Sequence, residues 1–160
     1  MTSETQLETK QVRRKVLAVA SAGGHWIQLL RLREAFDGFD ITYVTTNESY
    51  RTMIVGASFR SVTDANRNKK LHMVLLVLQM AWILLIERPT VIVTTGAAPG
   101  FIAIRLGKWF GAKTLWIDSI ANAEELSLSG RLATRHADTV LTQWQHLAHA
   151  GETEYRGAVI

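Results

Sequence analysis

Between Lys15 and Phe36 the chain reads KVLAVASAGGHWIQLLRLREAF, and no other stretch limits the architecture as much. Val16, Leu17 and Val19 with their small neighbours make the short apolar run of a strand covered on both faces. Ser21, Ala22, Gly23 and Gly24 allow a sharp turn and a close approach to whatever lies above it. From Trp26, the residues Ile27, Leu29, Leu30, Leu32 and Phe36 give one apolar helix face, predicting a helix to Phe36. A strand, a glycine turn and a helix start form an anion site, because free N–H groups and the helix dipole both aim at the turn. His25 stands where that helix begins. Two readings of it are open: a residue bonded locally at the helix start, or an imidazole held over a phosphate or an attacking hydroxyl.

The remaining elements follow at a regular spacing. Strands are predicted at Asp40–Thr45, Phe59–Thr63, Thr90–Thr95, Lys113–Ile117 and, last, Asp138–Thr142. A short helix capped within Thr46–Ser49, a helix from Pro99 to Phe110 and another from Gly130 to Arg135 separate them. Such alternation predicts an α/β fold: a doubly wound, mostly parallel Rossmann-like sheet with helices on both faces. In that topology the first and fourth strands are neighbours, and ligands bind at their carboxyl ends. Ser21–Trp26 would then stand beside Thr95–Gly100, with Asp118 and Ser119 next along the edge. Asp118 and Ser119 are also plausible caps of the following helix.

Several chemistries are excluded by what these loops lack. A dinucleotide fingerprint needs three spaced glycines and an acidic residue after the second strand, where the chain has Thr45-Thr46-Asn47. No Gly-Lys-Ser/Thr phosphate loop and no nucleophile elbow is present. His146 and His149 share a spacing without a third ligand, so no metal and no cofactor is expected. With 160 residues, 48% hydrophobic, the chain can bury one core, taken as a single domain over 15–160 behind a mobile tail over 1–14. Without cysteine there is no disulfide framework, which fits a reducing compartment. The net charge of +4 favours anionic partners, but the five tryptophans are not spaced as a base-stacking series, so nucleic acid is not expected.

Leu71–Ile86, LHMVLLVLQMAWILLI, is apolar nearly all round. As a helix it rises about 24 Å, short of a bilayer span. It reads as a buried crossover helix or as one that also offers a membrane or partner surface, with Arg67, Lys69 and Lys70 just before it; a spanning helix is the third reading. On the second reading Leu75, Leu78 and Trp82 would touch the membrane together with those three cations.

Taken in order, SAGGHWIQLLRL, the long apolar helix, RPTVIVTTGAAPG, TLWIDSIANAEELSLSGRL and HADTVLTQW resemble one family from Lys15 to the C-terminus. It is the family of asparagine-linked-glycosylation protein fourteen and its PssD-like bacterial relatives, the accessory subunits of two-part glycosyltransferases. The resemblance implies the N-terminal half of a GT-B fold, related to the lipid-linked enzyme of peptidoglycan synthesis. It implies a peripheral protein on the cytoplasmic face of the inner membrane, active as a hexosyltransferase only with a separate donor-binding subunit. The substrates implied are a UDP-sugar, with a lean to glucuronic acid, and a polyprenyl-diphosphate-linked saccharide acceptor of exopolysaccharide or capsule synthesis. Gly23, Gly24 and His25 match the motif of the catalytic cleft, with His25 catalytic. Gly96 and Gly100 match the second glycine loop, and Asp118-Ser119 stand where relatives show Glu-Ser. Ile120-Ala121-Asn122 depart from the aromatic residue and arginine that relatives carry next. Eukaryotic members bear an N-terminal anchor not evident in this sequence, which would shift attachment to Leu71–Ile86. The reading from another class is a stand-alone phosphate- or nucleotide-binding module.

Overall fold

Strand β1 (Lys15–Val19) lies in the middle of the sheet, and its burial explains its composition. Beyond Lys15 every residue is buried, because β2 (Asp40–Thr45) and β4 (Val91–Thr94) flank it and helices cover both faces. The computed structural model describes residues 14–65 and 69–159. The predicted tail up to residue 13, Arg67 and Ile160 lie outside the described residues. With β3 (Ser58–Ser61), β5 (Lys113–Ile117), β6 (Thr139–Thr142) and β7 (Glu154–Tyr155), the order is β3-β2-β1-β4-β5-β6-β7 and every pairing is parallel. The expected α/β Rossmann-like sheet is present, and its order reverses between β1 and β4.

One face carries α1 (Gly24–Arg31) and two 3-10 turns, Arg33–Phe36 and Glu48–Met53. Its core gathers Ala18, Ala20, Trp26, Leu29, Tyr43 and Phe59, with the Trp26 ring stacked on Tyr50 at 5.4 Å and edge-on to Tyr43 and Phe59. The other face carries α2 (Lys70–Glu87), α3 (Ala97–Trp109) and α4 (Leu128–Ala133) over Leu17, Val19, Val44, Ile92, Trp116 and Val140.

Three elements differ from expectation. The first helix ends at Arg31 and tightens into a 3-10 turn to Phe36, which lets Phe36 reach the Tyr43 ring. Asp138–Thr142 is not the last strand: β7, two exposed residues with no apolar run to announce it, pairs with β6. The apolar helix is not the fully buried crossover helix of the first reading: it is buried on one side and exposed on the other. Leu76, Met80, Ile83 and Leu84 are buried in the core, while Leu75, Leu78 and Trp82 are exposed, the last two by 62% and 64%. Arg88, in the left-handed conformation, closes α2, and Pro89 prevents its continuation.

A polar tie holds the amino edge. Asp138 accepts hydrogen bonds from Thr114 N and Oγ1, at 2.8 and 3.0 Å, and from Lys108 at the end of α3. Burial pushes its carboxyl up, but the Lys108 ammonium and the Thr114 donors outweigh this and hold it below the ordinary carboxylate value. A carboxyl depressed in the folded state stabilises above its unfolded pKa, and that contribution is lost as pH falls through the folded value. Asp138→Asn should therefore lower the urea midpoint at neutral pH, and the gap from the parent chain should close below about pH 4. A gap constant with pH would show that the carboxylate charge is not what matters.

Candidate functional site

At the reversal, the loops after β1 and β4 meet through His25 and Thr95. The His25 ring nitrogen Nδ1 lies 2.8 Å from the Thr95 carbonyl oxygen, and Thr95 Oγ1 donates to the His25 carbonyl at 2.7 Å. A carbonyl only accepts, so Nδ1 carries a proton, and in the neutral ring the lone pair is then on Nε2. Gly96, φ 129°, lies flush against the ring; a Cβ there would stand 2.8 Å from His25 Cε1. The next residue, Ala97, has φ 65°, a left-handed conformation costing a non-glycine residue about 1 kcal/mol or more, of the kind that gathers at functional sites.

The loop before His25 is held from the turn that follows the second strand. Ala22 N donates to Thr46 Oγ1 and Gly23 N to Tyr50 OH, at 3.1 and 3.2 Å. Gly23, φ 78°, makes the turn, and its carbonyl accepts the first helical bond, from Ile27 N. Among the described residues no side chain caps the N-terminus of α1 or α3, so both positive helix ends open toward this loop pair. Gly23 and Gly24 are exposed; Ser21 and His25 are half-buried at the same edge. Ser21, Gly23, Gly24, His25 and Gly96 are thus brought together.

Gly100 is not with them. It is buried in α3, and a Cβ there would run into the Thr94 hydroxyl, which itself accepts from Gly96 N at 3.1 Å. Its glycine lets α3 sit on the end of β4, a packing role in place of the expected ligand contact.

Asp118 is likewise turned inward, 2% exposed. Its carboxylate accepts from Trp116 Nε1, Asn122 Nδ2, Ser127 N and Ser127 Oγ, at 2.6–3.0 Å. That leaves it little to offer a ligand. Ser127, so held, caps α4 by accepting from Gly130 N at 2.8 Å, the capping task that Asp118 and Ser119 were candidates for. Ser119, half-buried, accepts instead from Ala121 N at 3.3 Å within its own turn. What reaches across the edge is Asp118's carbonyl, bonded by Gln28 Nε2 from α1 at 3.3 Å and by Gln143 Nε2 from beyond β6 at 2.8 Å. Trp144 Nε1 and His146 Nε2 add bonds to the carbonyls of Ile120 and Ala123. His146 is therefore a latch on this loop.

Sequence reasoning placed Thr95 beside the His25 loop without foreseeing its bonds, and missed Gln28, Gln143, Thr46 and Tyr50. Gln28 had a signal: a polar residue on the buried face of an apolar helix needs a partner, and the partner is the third loop. Asp118→Ala removes a charged acceptor from four donors and should cost about 3 kcal/mol or more of unfolding free energy by urea titration. A cost below about 1 kcal/mol would mean that water replaces the carboxylate at little loss.

Comparison with known proteins identifies the family and the fold, and the family match begins after the His25 loop. A family model described as oligosaccharide biosynthesis protein Alg14 like matches residues 42–159, from β2 through the loops after β4 and β5. No curated protein matches the chain. Among solved structures, Acinetobacter baumannii MurG superposes with TM-score 0.73 at 11% identity, over 89% of this chain and 45% of that one. UDP-N-acetylglucosamine 2-epimerase from Rickettsia bellii gives 0.69 at 16%, over 92% and 45%, and a glycosyltransferase from Rickettsia africae gives 0.60 at 11%, over 91% and 43%. At such identities the likeness is one of fold, and the chain spans less than half the length of these structures. By the family match the chain belongs to the Alg14-like oligosaccharide biosynthesis proteins.

Proposed function

We propose that this chain is the acceptor-side subunit of a two-part, membrane-associated glycosyltransferase that extends a lipid-diphosphate-linked saccharide. The observation that carries the reading is the His25–Thr95 pair: an imidazole with Nδ1 committed to a carbonyl, at the meeting of two uncapped helix starts. Family membership and a fold spanning less than half of the structures it matches support it. Ser21, Gly23, Gly24, Gly96 and Ser119 would line the acceptor diphosphate and its first sugar, with Asp118 shaping the loop behind them. The attacking acceptor hydroxyl forms a bond to the anomeric carbon of the donor sugar as the bond from that carbon to the nucleoside diphosphate breaks. The hydroxyl proton passes to His25 Nε2, and the diphosphate leaves with the bonding pair. The separate donor-binding subunit supplies the UDP-sugar site; glucuronic acid is the donor sugar that the bacterial relatives suggest, in exopolysaccharide or capsule synthesis. Attachment to the cytoplasmic face of the inner membrane falls to the exposed side of α2 with Lys69 and Lys70.

The test uses the chain with its genomic neighbour as donor-binding subunit. His25→Ala should cut turnover about a hundredfold or more with the fold intact, as expected of a general base. His25→Asn should recover part of the loss only if the ring's task is hydrogen bonding, because an amide donates but does not take the proton. A folded, partner-bound His25→Ala complex with near-normal turnover refutes the base. Robust turnover by the isolated chain refutes the two-subunit reading, and tight nucleotide binding without any transfer in either setting favours a stand-alone binding module.

A further inference from the structure

The outward face of α2 is apolar along its whole length. Leu71, Leu75, Leu78, Trp82, Leu85 and Ile86 are exposed on it, while the opposite side is buried in the core. From Leu71 to Ile86 there is no carboxylate, lysine or arginine. Glu87, the helix's one carboxylate, is engaged by Arg60 at 2.8 Å and Thr42 at 3.3 Å. Exposed cations stand at both ends, Lys69 and Lys70 at the carboxyl edge of the sheet and Arg88 at the amino edge. Beside α2 on the same face, α3 ends in exposed Trp109 and Phe110, with the Arg105 guanidinium 5.5 Å over the Trp109 ring.

We propose that this face lies flat on an anionic lipid surface, with α2 in the plane of the interface over all of its length and the end of α3 as a second contact. The proposal rests on the membrane-associated reading above and adds the orientation. Three features favour lipid over a protein partner. A protein interface brings about one hydrogen bond per 100–200 Å². The polar side chains between Leu71 and Ile86 turn to the chain itself, Gln79 accepting through Oε1 from Thr63 N and His72 bonding through Nδ1 to the Asp64 carbonyl. Exposed tryptophans with cations at the margins suit the boundary between acyl chains and headgroups. Charge at both ends, and not at one, suits a helix lying parallel to the surface.

The orientation follows from the fold. A helix with one side packed on a sheet cannot cross the bilayer, so it meets lipid side-on. Its 18 residues extend about 27 Å, antiparallel to the strands it connects. The strands therefore lie parallel to the membrane plane. The carboxyl edge, with His25 and Gly96, opens sideways along the surface, where a lipid diphosphate arrives by lateral diffusion. An attachment confined to the lysine end would instead stand the strands upright, with the site facing the membrane.

The chain has no cysteine, so single-cysteine variants at exposed positions report depth directly. Leu71→Cys, Leu78→Cys, Ile86→Cys and Trp109→Cys, with Tyr155→Cys on the β7 edge as control, each carry an environment-sensitive fluorophore. The probe is vesicles of phosphatidylcholine with about a quarter phosphatidylglycerol, bearing nitroxide-labelled lipid. Side-on docking predicts quenching at all four α2 and α3 positions, equal within about twofold, and none at position 155. Quenching at Leu71→Cys alone overturns the orientation while leaving membrane attachment intact. Sedimentation with vesicles but no quenching at any of the four assigns attachment to another surface. Failure to sediment overturns the membrane-associated reading along with this one. Protection of the four positions in free protein, with a doubled mass, would assign the face to a second copy.

Discussion

The reversal of strand order between β1 and β4 is what the rest of the molecule answers to. Chain that turns outward on opposite sides of two adjacent strands leaves two helix starts facing each other, each with unpaired N–H groups. Thr95 and His25 bridge the gap with a hydrogen bond in each direction, ring to carbonyl and hydroxyl to carbonyl. Gly96 then serves as a flat wall for the imidazole. Any side chain on that residue would displace the ring, and loss of the carbonyl partner would free the ring to change its tautomer. Backbone conformation, helix polarity and proton placement are thus settled within a few residues.

What the sequence made legible is what a repeating physical signal carries. β1 stands out because a central parallel strand must be apolar on both faces, and the glycine turn with His25 stands out because small residues cluster there for no propensity reason. α2 was ambiguous for a definite cause. Periodicity separates a buried face from a wet one, and a helix apolar on both carries no such contrast, although one side packs Leu76 and Met80 and the other exposes Leu78 and Trp82. β7 was invisible because two exposed residues paired to an edge leave no pattern.

The third loop shows a different limit. Asp118 looked like a cleft residue from its place after β5, and it is at the cleft, yet its carboxylate faces inward to four donors from its own neighbourhood. Position along a strand is readable from sequence, but the direction a side chain takes at its end depends on which donors the next turns bring back. The same holds for Gly100, whose glycine answers to the Thr94 hydroxyl and not to a ligand. Loop residues from different strands meet here through long-range bonds, Gln28 to Asp118 and Gln143 to Asp118 among them, and no local pattern encodes such meetings.

The inward carboxylate also sets a timescale. A surface connection between a strand and a helix ordinarily opens at little cost, independently of what it connects. Residues 118–127 are fastened at Asp118, Ile120 and Ala123 by Gln28 of α1 and by Gln143, Trp144 and His146 from beyond β6, and Ser127 at the start of α4 is tied back to the Asp118 carboxylate. Opening the segment means releasing the cap of α4 and the grip of Gln28 on α1 together. The segment should therefore exchange its amide hydrogens on the schedule of the helices it joins, as part of one cooperative unit that includes the β1 turn. A ligand seated there would find the far wall of its site already built and would spend little of its binding energy ordering it.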